Sequence, residues 1–348
     1  MPLTIVDDAP LAPLTTLELG GPARRLVEAP DEAAVVEAVR LGDERGLPVL
    51  ILGGGSNLVV SDAGFDGLVV RIASRGRSFV AHGGEVRLEA QAGEPWDDLV
   101  ADAVARGLGG LECLSGIPGL AGATPIQNVG AYGQEVSETI RAVRALDRRE
   151  GRVVELAPAA CGFGYRDSAF KREPDRYAVL AVAFGLRPGA APRLRYRELE
   201  DALGARPAPT LADARAAVLA LRGAKSMVID PRDPNRRSVG SFFMNPIVPA
   251  AEAARIAAQA APAEMPRFPA GPGLVKVPAA WLIERAGVSK GFRRGAVGVS
   301  SRHALALVHH GGGTTTALLA LAREIREAVR ARFGVVLVPE PVLVGASL

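Results

Sequence analysis

The sequence predicts a fold of the α+β class, in which helices and strands are mixed without the doubly wound α/β arrangement. Three observations predict it. The chain has 348 residues, the length of about two domains. Short apolar runs bounded by turn residues are interspersed with a few amphipathic helices. The third observation is a glycine triplet, Gly53–Gly54–Gly55, that follows a strand without opening a helix. A Rossmann unit needs GxGxxG spacing and a helix N-terminus aimed at a pyrophosphate, and both are missing here. Such a loop must offer its backbone N–H groups directly, as a nest does.

The elements read in order as follows. Thr15–Ala29 alternates around Gly20–Gly21–Pro22 and reads as strand and turn. Asp31–Arg45 reads as a helix capped by Asp31 and stopped by Gly46, with Val35, Val36 and Val39 apolar. Leu47–Leu52 reads as a buried strand, and Leu58–Val60, Ser61–Gly64 and Leu68–Ile72 as strand, turn and strand. A strand over Val86–Ala92 precedes a helix over Trp96–Arg106 that Gly107 ends. From Gly107 to Gly133 there are eight glycines in 27 residues. Val143–Leu146 and Val153–Leu156 form a hairpin through Glu150–Gly151, and Tyr177–Leu186 is a further strand. Thr210 caps a helix to Arg222. A second unit begins near Val228, with helices over Ala250–Ala260 and Ala279–Ala286 and a strand over Ala304–Val308. The helix Thr315–Phe333 puts Leu318, Leu321, Ile325 and Val329 on one face, and the chain closes on strand.

Composition narrows the function. Hydrophobic residues make up 48%, enough for a sizeable core. Net charge is +3, and basic residues are interspersed with acidic ones, as between Asp230 and Arg237. Nucleic-acid binding is therefore not expected, whereas an anionic small substrate suits the modest basic excess. Cys113 and Cys161 give neither a disulfide framework nor a zinc site. His303, His309 and His310 lack HExxH spacing, so no metal is expected. The start of the chain has no signal-peptide pattern, and no apolar run is long enough to span a membrane. The expected compartment is the cytoplasm.

Five motifs carry the chemistry. In ILGGGSNL, Ile51–Leu58, glycines admit a phosphate close to the backbone, and Ser56 and Asn57 add donors. In SGIPGLAGATPIQNVGAYG, Ser115–Gly133, small residues let a flat ring system and a diphosphate lie against the main chain. In GYRDSAFK, Gly164–Lys171, Arg166 reads either as a surface charge paired with Asp167 or as a bidentate carboxylate clamp. In GSFFMNP, Gly240–Pro246, Ser241 follows a glycine without the GxSxG context of a hydrolase nucleophile. Near the end, Glu340 is flanked by Pro339 and Pro341.

Each motif alone is weak, but their set, order and spacing are specific. Over the whole chain the sequence resembles the FAD-dependent UDP-N-acetylenolpyruvoylglucosamine reductases, in the subtype that has a substrate-loop tyrosine. The resemblance implies an FAD-binding fold of the vanillyl-alcohol-oxidase type, made of two α+β subdomains, plus a C-terminal α+β substrate-binding domain. Residues 1–72 with 335–348 would form the first subdomain, 73–226 the second and 227–334 the substrate domain. FAD would be held noncovalently by Gly53, Gly54, Gly55, Ser56, Asn57 and Leu58. Ser115, Gly116, Ile117, Pro118, Gly119, Gly122, Thr124, Asn128, Gly130 and Ala131 would complete its site.

The resemblance puts the catalytic arginine, serine proton donor and glutamate on Arg166, Ser241 and Glu340. It puts substrate contacts on Tyr132, Tyr165, Tyr196, Lys225, Asn245, Trp281 and Glu284, with Tyr196 on the lid and Lys225 at the diphosphate. The implied reaction has two halves. NADPH, the co-substrate, reduces FAD, and the reduced flavin then reduces the enolpyruvyl ether of UDP-N-acetylglucosamine to UDP-N-acetylmuramate. The implied protein is monomeric and works in peptidoglycan precursor synthesis. The sequence departs from the family at Pro341, where a valine is usual, at Ala280 and at His309. The alternatives are another flavin oxidase of the same fold and an inactive nucleotide-sugar-binding regulator.

Overall fold

The computed structural model describes residues 3–204 and 206–348. The chain folds as two compact units that exchange segments. The first comprises Met1–Ala9, Ala23–Gly54 and Asp66–Ile229, and the second Pro10–Pro22, Gly55–Phe65 and Asp230–Leu348.

Among the described residues, the two larger sheets of the first unit have four and six strands. One orders its strands Ile5–Pro10, Pro22–Ala29, Phe65–Ile72 and Val49–Leu52, the last two parallel with Val49 opposite Leu68. The other orders Arg152–Leu156, Ile140–Asp147, Tyr177–Pro188, Glu85–Gln91 and Arg77–His82, all antiparallel. Tyr177–Pro188 lies centrally, and its near-continuous apolar run reflects burial on both faces. The core of this unit gathers Val39, Leu68, Leu88, Leu99 and Phe184 around Trp96. The buried indole N–H of Trp96 donates to the carbonyl of Leu114 at 3.1 Å, so the ring brings no unpaired donor into the core.

Helix ends follow their caps. Asp31 accepts from the N–H of Ala34 and starts Glu32–Glu44. Thr210 and Asp213 form a reciprocal capping box at the head of Leu211–Ala224. In the second unit, Thr314 caps Thr315–Phe333 and Gly334 ends it in the left-handed conformation. That helix buries Leu318, Leu321, Ile325, Val329 and Phe333 against Leu17, Phe242 and Leu282 of the second core. Each such burial contributes roughly 1.5–3 kcal/mol against about 1 kcal/mol for a cap, so packing fixes this helix and the caps only trim it.

The long helix, the Arg152–Leu156 hairpin and the strand–turn–strand after the glycine triplet match the sequence expectation. Several elements lack a sequence signal. Arg77–His82 carries exposed residues at nearly every position, and Pro158–Cys161, Ala169–Arg172 and Arg197–Leu203 are too short to show a helical period. The two strands after the triplet also part company. Phe65–Ile72 joins the first unit's sheet, whereas Leu58–Val60 pairs in parallel with Val342–Val344.

Candidate active site

In the first unit the two glycine loops meet main chain to main chain. A Cβ added to Gly54 would stand 3.0 Å from the Cα of Gly119, and one on Gly53 would stand 3.7 Å from Leu120 Cδ1. Gly116 and Gly119 have φ of +69° and +121°, values that only glycine adopts without strain. Gly122 lies so close to Ala92 that a Cβ would approach it within 2.5 Å. The hydroxyls of buried Ser115 and Thr124 donate to the carbonyls of Glu112 and Ala121, each stapling its own turn. Those hydroxyl protons are used within the chain, so the main-chain surface is what these loops offer a ligand. Ile117 and Ala131 pack their side chains on the core, and Pro118 lies between Ile117 and Gly119. This donor set fits a flat ring and a diphosphate, which both need close approach to the backbone.

Behind the second loop lie charges that the sequence reading missed. The N–H of Gly116 donates to Asp97 at 2.6 Å, and Asp97 also pairs with both guanidinium nitrogens of Arg215, at 2.6 and 2.8 Å. Burial opposes the ionisation of Asp97, but the bonds from Arg215 and Gly116 outweigh it and hold its carboxyl below the usual range. Arg222 is only 9% exposed; it donates through Nη2 to Met227 O, and its Nε has no partner among the described residues. A signal existed for Arg222, because it stands one helical turn before Lys225 on the same helix face.

Lys225 pairs with Glu198 at 2.6 Å and stands 6.0 Å from the ring centre of Tyr132. Tyr132 in turn meets Tyr196 edge to face at 5.5 Å. The structure thus gathers three of the expected substrate residues, with Glu198 as a partner the sequence did not reveal. Burial pushes the Tyr132 phenol up to about 12 and raises that of Tyr196, so both are neutral hydrogen-bonding groups at physiological pH.

Arg166 sits at the apex of a tight turn, with φ of 54°. Gly164 and Asp167 exchange two main-chain bonds across the turn, at 3.0 and 3.2 Å. The guanidinium lies over the Tyr165 ring, its carbon 5.5 Å from the ring centre, and its Nη2 donates to Gly130 O at 2.7 Å. Asn128, fully buried, bonds within the chain to Glu135, Gly164 and Ser137.

The second unit brings together residues that are far apart in sequence. Ser238–Ser241 pairs with Ala306–His309, and a register shift between Ser238 and Ser241 coincides with Gly240 at φ of 74°. This is a glycine bulge, a device that re-aims the side chain beside it, here Ser241. The N–H of Glu340 donates to Phe242 O at 2.9 Å and that of Met244 to Val338 O at 3.0 Å, so Glu340 lies opposite Phe242, the residue after Ser241. The N–H of Val342 donates to Asn57 O at 2.9 Å, which brings the end of the glycine loop to the same strand. Thr16 ties the group from the other side, donating its N–H to Gly55 O and its hydroxyl to Ser238 O. A Cβ on Gly55 would overlap Leu14 O at 2.1 Å. Ser56 and Asn57 follow it, and Leu58 begins the strand.

Asn245 accepts the N–H of Ala279, the first residue of Ala279–Arg285, through Oδ1. On that helix Trp281 packs on Phe333, with ring centres 5.9 Å apart, and Glu284 is exposed. Burial lowers the pKa of both His309 and His310. Among the described residues no His, Cys, Asp and Glu cluster could hold a metal. No helix of the described residues is long and apolar enough to cross a membrane.

The fold and the glycine loops define a flavin-binding α+β protein, and residues 23–157 match the sequence model of the FAD binding domain. Residues 231–344 match that of the UDP-N-acetylenolpyruvoylglucosamine reductase C-terminal domain. The UDP-N-acetylenolpyruvoylglucosamine reductase of Streptomyces coelicolor is 53% identical over 356 positions, covering 100% of this chain and 92% of that protein. The enzyme of the same name from Saccharopolyspora erythraea is 53% identical over 350 positions, covering 97% and 95%. The crystal structure of the Thermus caldophilus UDP-N-acetylenolpyruvylglucosamine reductase superposes with a TM-score of 0.67 at 26% identity, over 99% of both chains. The chain belongs to the UDP-N-acetylenolpyruvoylglucosamine reductase family.

Proposed function

We propose that this FAD-dependent oxidoreductase reduces the enolpyruvyl ether of UDP-N-acetylglucosamine to UDP-N-acetylmuramate with NADPH, supplying a peptidoglycan precursor. Bound FAD supplies the hydride chemistry. The chain positions the reactants, stabilises charge and delivers a proton. The observation that carries this reading is the main-chain ladder that bonds Glu340 to Phe242, next to Ser241, and Val342 to Asn57, in a chain of this family. Gly53–Leu58, Ser115–Gly119 and Ala131 would hold the cofactor. The expected subdomains 1–72 with 335–348 and 73–226, and the substrate domain 227–334, follow the same reading; the separation of the first unit's four-stranded and six-stranded sheets supports two subdomains within it.

Reduction of the methylene leaves negative charge that spreads into the neighbouring carboxylate. Arg166 meets that charge with paired N–H donors. Ser241 then gives its proton to the carbon bearing the carboxylate, on one face. A serine hydroxyl is a weak acid, so its acceptor must be strongly basic, as an enolate carbon is. Lys225, Tyr132 and Tyr196 hold the nucleotide diphosphate, and Glu198 yields Lys225 to the phosphate when the substrate binds. The protein acts as a cytoplasmic monomer.

The experiment is a spectrum. Purified protein is expected to be yellow, to bleach with NADPH and to recover its colour on adding the enolpyruvyl sugar. Acid precipitation is expected to leave FAD in the supernatant, since both thiols are buried, with pKa values pushed up to about 12 for Cys113 and 11 for Cys161. Recovery by oxygen alone would indicate an oxidase, and a colourless protein that binds the sugar would indicate a regulator.

A further inference from the structure

The Asn128 side chain is spent inside the chain. The residue is 1% exposed, and its Nδ2 donates to Glu135 Oε2 at 2.8 Å and to Gly164 O at 3.0 Å. Its Oδ1 accepts from the N–H of Ser137 at 3.1 Å. An amide with both protons engaged has no donor left, whereas a diphosphate and a flavin carbonyl both ask for donors. The bond to Gly164 instead leads to Arg166. Gly164 and Asp167 close the turn that carries Arg166 at its apex, in the left-handed region that a residue with a side chain occupies only when its surroundings hold it there.

The surroundings hold it from several sides. Gly130 O accepts from Arg166 Nη2 at 2.7 Å, and Lys171 Nζ donates to Arg166 O at 2.9 Å. Gly130 also makes room for the guanidinium. A Cβ there would stand 3.1 Å from Arg166 Nη1 and from Gln134 O, and 3.0 Å from Glu135 Cγ. Glu135 is thus shared, touching the space beside Gly130 and accepting from Asn128.

We propose that Asn128 and Gly130 are positioning residues for the Arg166 clamp, acting through the Gly164–Asp167 turn and the guanidinium rather than on the flavin. The proposal rests on the reading of Arg166 as the carboxylate clamp. Asn128 fixes the turn, and Gly130 fixes the head group. A displacement of the order of 1 Å at such a group costs about 10²-fold in rate.

Stopped-flow measurement on FAD-loaded Asn128→Ala and Gly130→Ala separates the possibilities. FAD content and reduction by NADPH are expected to stay within about twofold of the parent. Reoxidation by the enolpyruvyl sugar is expected to slow by roughly 10–100-fold, mainly in its maximal rate rather than in the sugar concentration needed. In the double variant Asn128→Ala/Arg166→Lys, reoxidation is expected to be no slower than in Arg166→Lys alone, because the two changes act on one device. Lost FAD, or slowed reduction with reoxidation spared, would make Asn128 a flavin ligand and overturn the proposal, as would additive losses in the double variant. Parent-like reoxidation in Arg166→Lys alone would instead defeat the clamp reading itself. Should Asn128→Ala yield no folded protein, Gly130→Ala decides alone. Alanine is conformationally admissible at 130, and an unchanged reoxidation rate there would overturn the proposal.

Discussion

Arg166 in the first unit and Ser241 in the second are placed by different means. Ser241 and Glu340 are set by main-chain bonds, in which the N–H of Glu340 donates to Phe242 O, that of Phe242 to Leu305 O and that of Val342 to Asn57 O, with a glycine bulge to aim the serine. Arg166 sits on a turn that Gly164 and Asp167 close with two main-chain bonds, and it depends further on side chains: Asn128 on Gly164 O, Lys171 on the Arg166 carbonyl and its own guanidinium on Gly130 O. A backbone ladder survives most substitutions of the residues that build it, because every residue but proline supplies the same groups. A side-chain network loses a specific bond with each change. The proton donor is therefore the sturdier of the two placements, and the clamp is the one more easily disturbed from a distance.

The largest expected effect tests the sturdier side. Ser241→Ala keeps the ladder and removes only the hydroxyl. It is expected to leave flavin reduction by NADPH nearly intact and to slow reoxidation by the enolpyruvyl sugar by roughly 10²–10⁴-fold, the range of a positioned acid. If reduction slows and reoxidation does not, the serine serves the nicotinamide and the proton has another source. Next comes Arg166→Lys, which keeps charge and loses the fork. Reoxidation is expected to fall about 10²–10³-fold, the scale of losing one aimed donor to a developing anion. Near-normal turnover would remove the clamp from the comparison.

Lys225→Ala is expected to act more weakly and differently. A lysine–phosphate contact helps ground and transition states alike, so KM for the sugar should rise more than kcat falls. Steady-state kinetics with an unchanged KM and a collapsed kcat would show that Lys225 takes part in the chemistry. The smallest effect concerns a side-chain tie at the start of the second unit's long helix. Asp62 accepts from the N–H groups of Thr315 and Thr316 and from the Thr316 hydroxyl. Burial works against its ionisation, but these bonds outweigh it and hold its carboxyl below the ordinary value. A depressed carboxylate contributes stability above its unfolded pKa of about 3.9 and loses it as pH falls through the lower folded value. Asp62→Ala should therefore cost about 0.5–2 kcal/mol at pH 7 and progressively less below pH 4. Urea unfolding at pH 7 and pH 3 checks this, and an equal loss at both would exclude the carboxylate as its cause.

Legibility in the sequence followed the range of the interaction. Thr315–Phe333 was readable to its ends because its apolar face, Thr314 and Gly334 all lie within one window. The Thr210 cap and the hairpin through Gly151 were readable for the same reason. The glycine loops were visible as motifs, and resemblance attached a flavin to them. Glu198 was invisible because its tie to Lys225 spans 27 residues and nothing in an exposed helix sequence marks it.

What the sequence determined by itself was the class of fold, the local elements and the family, since a set of short motifs in fixed order is a property of the chain alone. Only the tertiary structure decided which groups in those motifs still have hydrogen-bonding capacity to offer. Ser115, Thr124 and Asn128 stand in the motifs as polar residues like any others, and the fold engages their protons with Glu112, Ala121, Glu135 and Gly164. The tertiary structure likewise decided that Asn57, Ser241 and Glu340 share one ladder. The physical reason is that each polar group bonds only to what folding brings within about 3 Å of it, and that distance is not written in sequence separation.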